Sequence, residues 1–176
     1  QKESHKYYGE FIGRELVEMT RNIFPLSHKK EDTYLAGFSM GGYGAIRNGL
    51  KYHDTFGYIG AISAALLTDD LHNWGEGDDL LSSKSFAQSC FGDLNKVIGS
   101  DMDPKFLIDD LIANDIEIPK IFMAVGDNDF LYDENIDYYN YLKSRNVDVE
   151  FRCSSGEHTW EFCNDYIKEF IEWLPL

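Results

Sequence analysis

The chain has 176 residues, the length of one domain, and a compact domain of that size buries roughly 70% of its unfolded surface, enough for a true core. Asp and Glu total 31 against 16 Lys and Arg, a formal charge of -15, which argues against nucleic acid and anionic membrane surfaces as partners and favours a neutral ligand. Three cysteines, Cys90, Cys153 and Cys163, are too few and too scattered for a disulfide framework, and no pair has zinc-ligand spacing, so they read as reduced packing residues and favour the cytoplasm.

In chain order, Tyr7 to Phe24 places Phe11, Ile12, Leu16, Met19 and Ile23 at mostly helical spacing, which predicts an amphipathic helix ended near Pro25. No apolar run approaches membrane-spanning length. The opening QKESHKYYGE has no signal-peptide pattern, and it says nothing of what precedes it. After the polar loop SHKKED, the run Thr33 to Phe38 predicts a short buried strand, and the small-residue segment from Gly41 through Tyr52 suits a helix. Phe56 to Ala65 is a second apolar, β-compatible run, which gives the αβ rhythm of a parallel sheet.

From Thr68 to Asn114 the chain turns acidic and irregular, with Trp74-Gly75-Glu76-Gly77, Phe91-Gly92-Asp93 and Asp101-Met102-Asp103-Pro104 before a short helical stretch around Phe106 to Ile112. Residues 68–114 therefore read as a lid-like insertion across the mouth of a site. Lys120 to Val125 is a third buried strand, running into Gly126-Asp127-Asn128-Asp129-Phe130-Leu131. Asp133 to Ser144 is an aromatic-studded helix, Val147 to Cys153 a fourth strand, and Thr159 to Trp173 a closing helix. The fold class that follows is α/β, a single domain over 1–176 whose parallel strands lead into polar loops at their carboxyl ends, the edge where such sheets bind ligands.

Chemistry concentrates first at Gly37-Phe38-Ser39-Met40-Gly41. A bare Gly-x-Ser-x-Gly match is weak in a chain with 15 glycines, since a glycine-rich αβ connection looks the same. Here, however, an uncharged strand precedes it and a small-residue helix start follows it, the context the motif requires. A serine at so sharp a turn is strained, and glycines two residues either side let strand and helix pass closely. Ser39 is then a candidate nucleophile, with the Met40 backbone N–H and the positive helix end facing an oxyanion.

A serine nucleophile needs a base and an acid to orient it. Of the five histidines, His5 and His28 lie near the ends of the first helix, His53 follows the elbow helix and His72 lies in the insertion. His158 alone follows a strand directly, in Ser154-Ser155-Gly156-Glu157-His158. The acid is Asp129 or Asp127, and loop geometry favours Asp129, with Phe130-Leu131 available to anchor the loop. The rival explanation is that these acids only cap the helix after Asp133.

The motifs Gly37-Phe38-Ser39-Met40-Gly41-Gly42-Tyr43-Gly44-Ala45, Gly126-x-x-Asp129-Phe130-Leu131 and Gly156-x-His158-x-Trp160 resemble those of the tributyrin esterase and esterase D branch of the α/β-hydrolases. Related feruloyl and acetylxylan esterases share the pattern. The resemblance spans nearly the whole chain, including Phe91-Gly92-Asp93 and Trp173-Leu174-Pro175. It implies Ser39 as nucleophile, His158 as base and Asp129 as acid, in a serine carboxylesterase that hydrolyses short-chain or aromatic-acid esters through an acyl-enzyme, with no cofactor and no metal.

Members of that branch carry several strands ahead of the helix that opens this sequence, and a loop after one of them supplies a second oxyanion N–H. The expectation is therefore a C-terminal part of such a domain, its Thr33 strand an apolar edge to be covered by the N-terminal segment or by a second copy in a homo-oligomer. The alternatives are a catalytically incompetent hydrolase fragment serving as a binding or structural module, and an acyltransferase using the same three residues.

Overall fold

The structure, a computed structural model, describes residues 7–75 and 83–176. Helix α1 begins at Tyr8–Glu10, widens into a π-helical stretch over Phe11–Glu15 and resumes as Leu16–Ile23. Then come β1 (Tyr34–Phe38), α2 (Met40–Lys51), β2 (Tyr58–Ile62), α3 (Lys84–Phe91), α4 (Pro104–Ala113), β3 (Lys120–Gly126), α5 (Tyr132–Ser144), β4 (Val149–Ser154) and α6 (Trp160–Trp173).

The four strands form one parallel sheet in the order β1-β2-β3-β4, with Phe38 beside Ile62 and Ile62 beside Ala124. All carboxyl ends therefore lie at one edge. Side chains alternate between faces along a strand, so Ile121 and Met123 of β3 join one core while Phe122 and Ala124 join the other. The first core packs β2 and β3 against Ala45, Ile46 and Leu50 of α2, Leu107, Ile108 and Leu111 of α4, and Tyr138 and Leu142 of α5. The second packs the opposite face against Phe162, Tyr166 and Phe170 of α6. A strand covered on both faces needs apolar residues at every position, which is why KIFMAV reads as an unbroken run.

Three sequence expectations change in detail. The amphipathic helix forms, but of its residues only Gly13 is buried. Tyr8, Phe11, Met19 and Ile23 are exposed, because the packing of α1 centres on Gly13 against the ring of Tyr52. Cys153 is exposed rather than packed, whereas Cys90 and Cys163 are half-buried and all three are free thiols.

The span proposed as a lid is divided. Asp103 caps α4 by accepting from the N–H groups of Lys105 and Phe106, Pro104 sits at the helix start, and Leu107, Ile108 and Leu111 seal the main core. Residues 104–113 thus belong to the main core, packed against α2 and α5. What precedes them builds a small separate cluster from Leu71, Ala87, Leu94 and Val97, with Trp74, Phe91 and Met102 against it. Within this stretch Glu76 and Gly77 lie outside the described residues. Among the described residues no helix is long and apolar enough to cross a membrane.

Ile108 is fully buried, so Ile108→Ala is expected to lower global stability by about 2–5 kcal/mol in urea unfolding with an unchanged slope. Phe106→Ala, at a 40% exposed position of the same helix, should stay within about 0.5 kcal/mol. Equal, small effects would return α4 to a peripheral lid.

Candidate active site

Ser39 stands between β1 and α2 at φ 58°, ψ -119°, a left-handed backbone that an L-residue adopts only when its surroundings force it. Those surroundings are the exit of β2: Ser39 N–H donates to the Ile62 carbonyl (2.9 Å), and the Ser39 carbonyl accepts from Ala65 N–H (2.9 Å) and Tyr43 N–H (3.1 Å). The glycines have unequal tasks. A Cβ on Gly37 would collide with the Gly41 carbonyl, whereas one on Gly41 would meet open space. Gly42 has a further role, since a Cβ there would press on Ala64 at 2.9 Å. Met40 is the first residue of α2, so its N–H has no acceptor within the helix and points out at the helix start.

At the end of β3 the two candidate acids separate. Asp129 is buried, its side chain fully so, and each of its carboxylate oxygens lies 3.0 Å from His158 Nδ1. Its Oδ1 also accepts from Leu131 N–H at 2.8 Å. Asp127 is exposed and faces elsewhere, accepting from Gly156 N–H (3.1 Å) and Asn128 Nδ2 (2.7 Å), which ties the β3 and β4 loops together. With Nδ1–H donating to a carboxylate, the neutral imidazole keeps Nε2 as its acceptor.

His158 and Ser39 line one open cleft of about 580 Å³ with Phe38, Met40, Thr159, Trp160 and Glu161. No hydrogen bond joins Ser39 Oγ to His158 among the described residues, and such contacts commonly tighten only when substrate binds. A second cavity, about 380 Å³, opens on the other side of Ser39 and Met40 and is walled by Tyr43, Leu67, Leu71, Trp74, Phe86 and Phe91. Tyr43 closes that wall: its hydroxyl donates to the Met102 carbonyl at 2.7 Å, and burial pushes its pKa far up, so it remains a neutral donor. Arg47 Nε donates to the Asp101 carbonyl at 2.8 Å, and Arg47 and Lys51 both pair with the Asp101 carboxylate. Helix α2 thus holds the small cluster that walls the cavity.

The sequence reading placed no aromatic ring against the imidazole and took Phe130 only as a loop anchor. Phe38 stacks on one side of His158, centroids 4.6 Å apart and planes at 28°, and Phe130 lies 4.5 Å away at 45°. Phe130 is 73% exposed, so Leu131, at 3%, anchors the acid loop alone. Asn135 went unnoticed too. Fully buried, it bridges to the loop after β2 by accepting from Ala64 N–H (3.1 Å) and donating to the Ala64 and Leu131 carbonyls (2.9 and 2.7 Å). Its signal is a polar residue on the inner face of an otherwise aromatic helix. Ser63 is wholly buried and meets no solvent. His5 and the side chain of His72 lie outside the described residues, and His28 is exposed.

The profile of the family described as "Putative esterase" matches residues 1–174. An acetyl esterase of Caldicellulosiruptor saccharolyticus is 43% identical over 174 residues, covering 98% of this chain and 65% of its own length. An S-formylglutathione hydrolase of Staphylococcus aureus superposes with a TM-score of 0.80 at 35% identity. The fluorophosphonate-binding serine hydrolase F of the same species gives 0.82 at 35%. Each of these structures covers 97% of this chain, which spans 64% of theirs. The chain therefore spans just under two thirds of the length of these three relatives.

The two motif glycines yield opposite expectations. Gly37→Ala should cost about 1–3 kcal/mol of stability through overpacking, while Gly41→Ala, with open space and a helical position, should be neutral or stabilising by up to about 1 kcal/mol. Urea unfolding of both variants checks this, and equal losses would contradict the asymmetry.

Proposed function

Because the chain belongs to the esterase family whose profile it matches, we propose that it is the catalytic part of a serine carboxylesterase in which Ser39 is the nucleophile, His158 the general base and Asp129 the orienting acid. The observation that carries this reading is the buried Asp129 carboxylate, held 3.0 Å from His158 Nδ1 in the cleft that also contains Ser39.

The steps follow from placement. Ser39 Oγ adds to the ester carbonyl while His158 Nε2 takes its proton, and Asp129 supports the imidazolium that forms. Charge develops on the carbonyl oxygen beside the start of α2, where Met40 N–H and the helix dipole stabilise it. His158 then returns the proton to the departing alcohol oxygen, leaving an acyl-Ser39 ester. A water activated by the same imidazole adds to that ester and releases the acid.

The substrates we propose are small neutral esters with short-chain acyl or aromatic-acid groups. The 380 Å³ cavity supports this with its aliphatic and aromatic walls. At the roughly 30 Å³ share of a water molecule it holds about a dozen heavy atoms, room for more than an acetyl group. On the resemblance carried by the motifs, a second oxyanion donor comes from a loop upstream of α1. Turnover by residues 1–176 alone is then expected about 10²- to 10³-fold below that of the chain joined to such a segment. The same segment, or a second copy, would cover the outer edge of β1.

Ser39→Ala should lower hydrolysis of a chromogenic acetate or butyrate ester by about 10⁶-fold or to background, and a fluorophosphonate should label Ser39 alone. Turnover within a few-fold of the parent would remove Ser39 from the role. Asp129→Asn should cost on the order of 10⁴ in kcat, and Asp127→Asn far less. A reversed ranking would move the acid to Asp127.

A further inference from the structure

The cavity beside Ser39 is mostly apolar, its polar groups being those of Ser39, Tyr43, Trp74 and one charged residue. Its wall includes Glu134, which stands on the first turn of α5 between this cavity and a second, polar one of about 240 Å³ lined by Thr68, Asp69, Lys105 and Asp137. One carboxylate oxygen of Glu134, Oε2, is shut off from solvent and has no hydrogen-bond partner among the described residues. Native structures rarely leave a buried polar atom so placed, because its lost hydration is not recovered.

No structural task accounts for it. An acid in a first helical turn complements the helix dipole, but the adjacent Asp133 does that from an exposed position at no desolvation cost. The cation that shares the polar cavity with Glu134 is engaged elsewhere, Lys105 with Asp69. Asn135, the next residue, is more deeply buried and makes three hydrogen bonds. The helix is therefore able to satisfy a buried polar side chain here, whereas the half-buried Glu134 keeps its occluded Oε2 without a partner among the described residues, in the wall of the cavity that Ser39 opens into.

We propose that Glu134 is the recognition point of this cavity, accepting a hydrogen bond from a hydroxyl or ammonium group carried by an otherwise apolar substrate moiety. This deepens the esterase reading and rests on it for the word substrate, while the binding itself needs only the cavity. An apolar pocket discriminates weakly between ligands that differ by a methylene or an added hydroxyl. A pocket with a buried group that must be paired penalises the ligand lacking the donor far more. Esters of purely aliphatic acids would leave Glu134 unpaired and be poor substrates for their size.

The test is calorimetric titration of the chain with three ligands of one shape, toluene, benzyl alcohol and benzylamine, for the parent, Glu134→Gln and Glu134→Leu. A hydrogen bond to a charged acceptor predicts that Glu134→Leu lowers the affinity ratios of benzyl alcohol and of benzylamine to toluene at least about 10-fold. Glu134→Gln, nearly isosteric, should keep the benzyl alcohol ratio within a few-fold and lose the benzylamine preference. If Glu134→Leu does not fold, the Gln variant decides on the benzylamine ratio alone. Ratios unchanged in both variants, or no binding of any ligand to the parent, overturn the proposal. A chain that fluorophosphonate fails to label at Ser39 but that shows the Glu134-dependent ratios would refute the esterase reading and retain this one.

Discussion

A serine held at φ 58° costs an L-residue on the order of 1–3 kcal/mol, and the architecture around it exists to hold it there. The restraint is the pairing of β1 with β2 in parallel register, which brings Ile62 and Ala65 close enough to fasten the Ser39 peptide on both sides. Relaxing Ser39 would break hydrogen bonds at the sheet's exit and force α2 off its strand at Gly37, where no side chain fits. The strain is therefore maintained by the core that clamps α2, namely Ala45, Ile46 and Leu50 against β2.

The same edge brings the other two residues to Ser39 from far along the chain. Parallel strands end together, so the loops after β1, β3 and β4 converge although Ser39, Asp129 and His158 are separated by 90 and 29 positions. Precision comes from short local ties: Leu131 N–H and its buried side chain fix Asp129, the Asp127 bridge to Gly156 fixes the loop before His158, and Phe38 and Phe130 flank the imidazole. An imidazole with its Nδ1 on a buried carboxylate and rings beside it has few rotamers left, which is the preorganisation the proposed role of general base would require.

Much of this was legible in the sequence. The four strands and the closing helix announced themselves by apolar runs and spacing, and the order Ser39, Asp129, His158 with its local motifs placed the candidate residues. The discrepancies have physical causes. The helical stretch of α4 was expected, but its place in the main core was masked by acidic neighbours, because Asp109 and Asp110 face solvent between core positions Leu107, Ile108 and Leu111. Phe130 looked like an anchor because a large apolar residue usually is one, yet the loop turns it outward over His158. Glu134 and Asn135 are adjacent on one helix, and only packing distinguishes a satisfied polar group from an unpaired one. The unequal demand on Gly37 and Gly41 arises from a three-dimensional crossing that a symmetrical motif conceals.

The cavity wall and the reacting centre rest on cores of different size. Asp129 and His158 sit in the loops that follow strands sealed by the two large clusters, while Leu71 and Ala87 of the wall belong to a cluster of four buried residues, among the described ones, fastened to α2 through Tyr43, Arg47 and Lys51. A small core opens at a lower free energy than a large one. On warming, the wall should therefore loosen first while the contact between Asp129 and His158 is still intact, and the esterase proposed above would lose its selectivity before its chemistry. Natural variation confined to 83–102 would then retune which molecules are accepted, and the temperature range of that choice, without touching the scaffold.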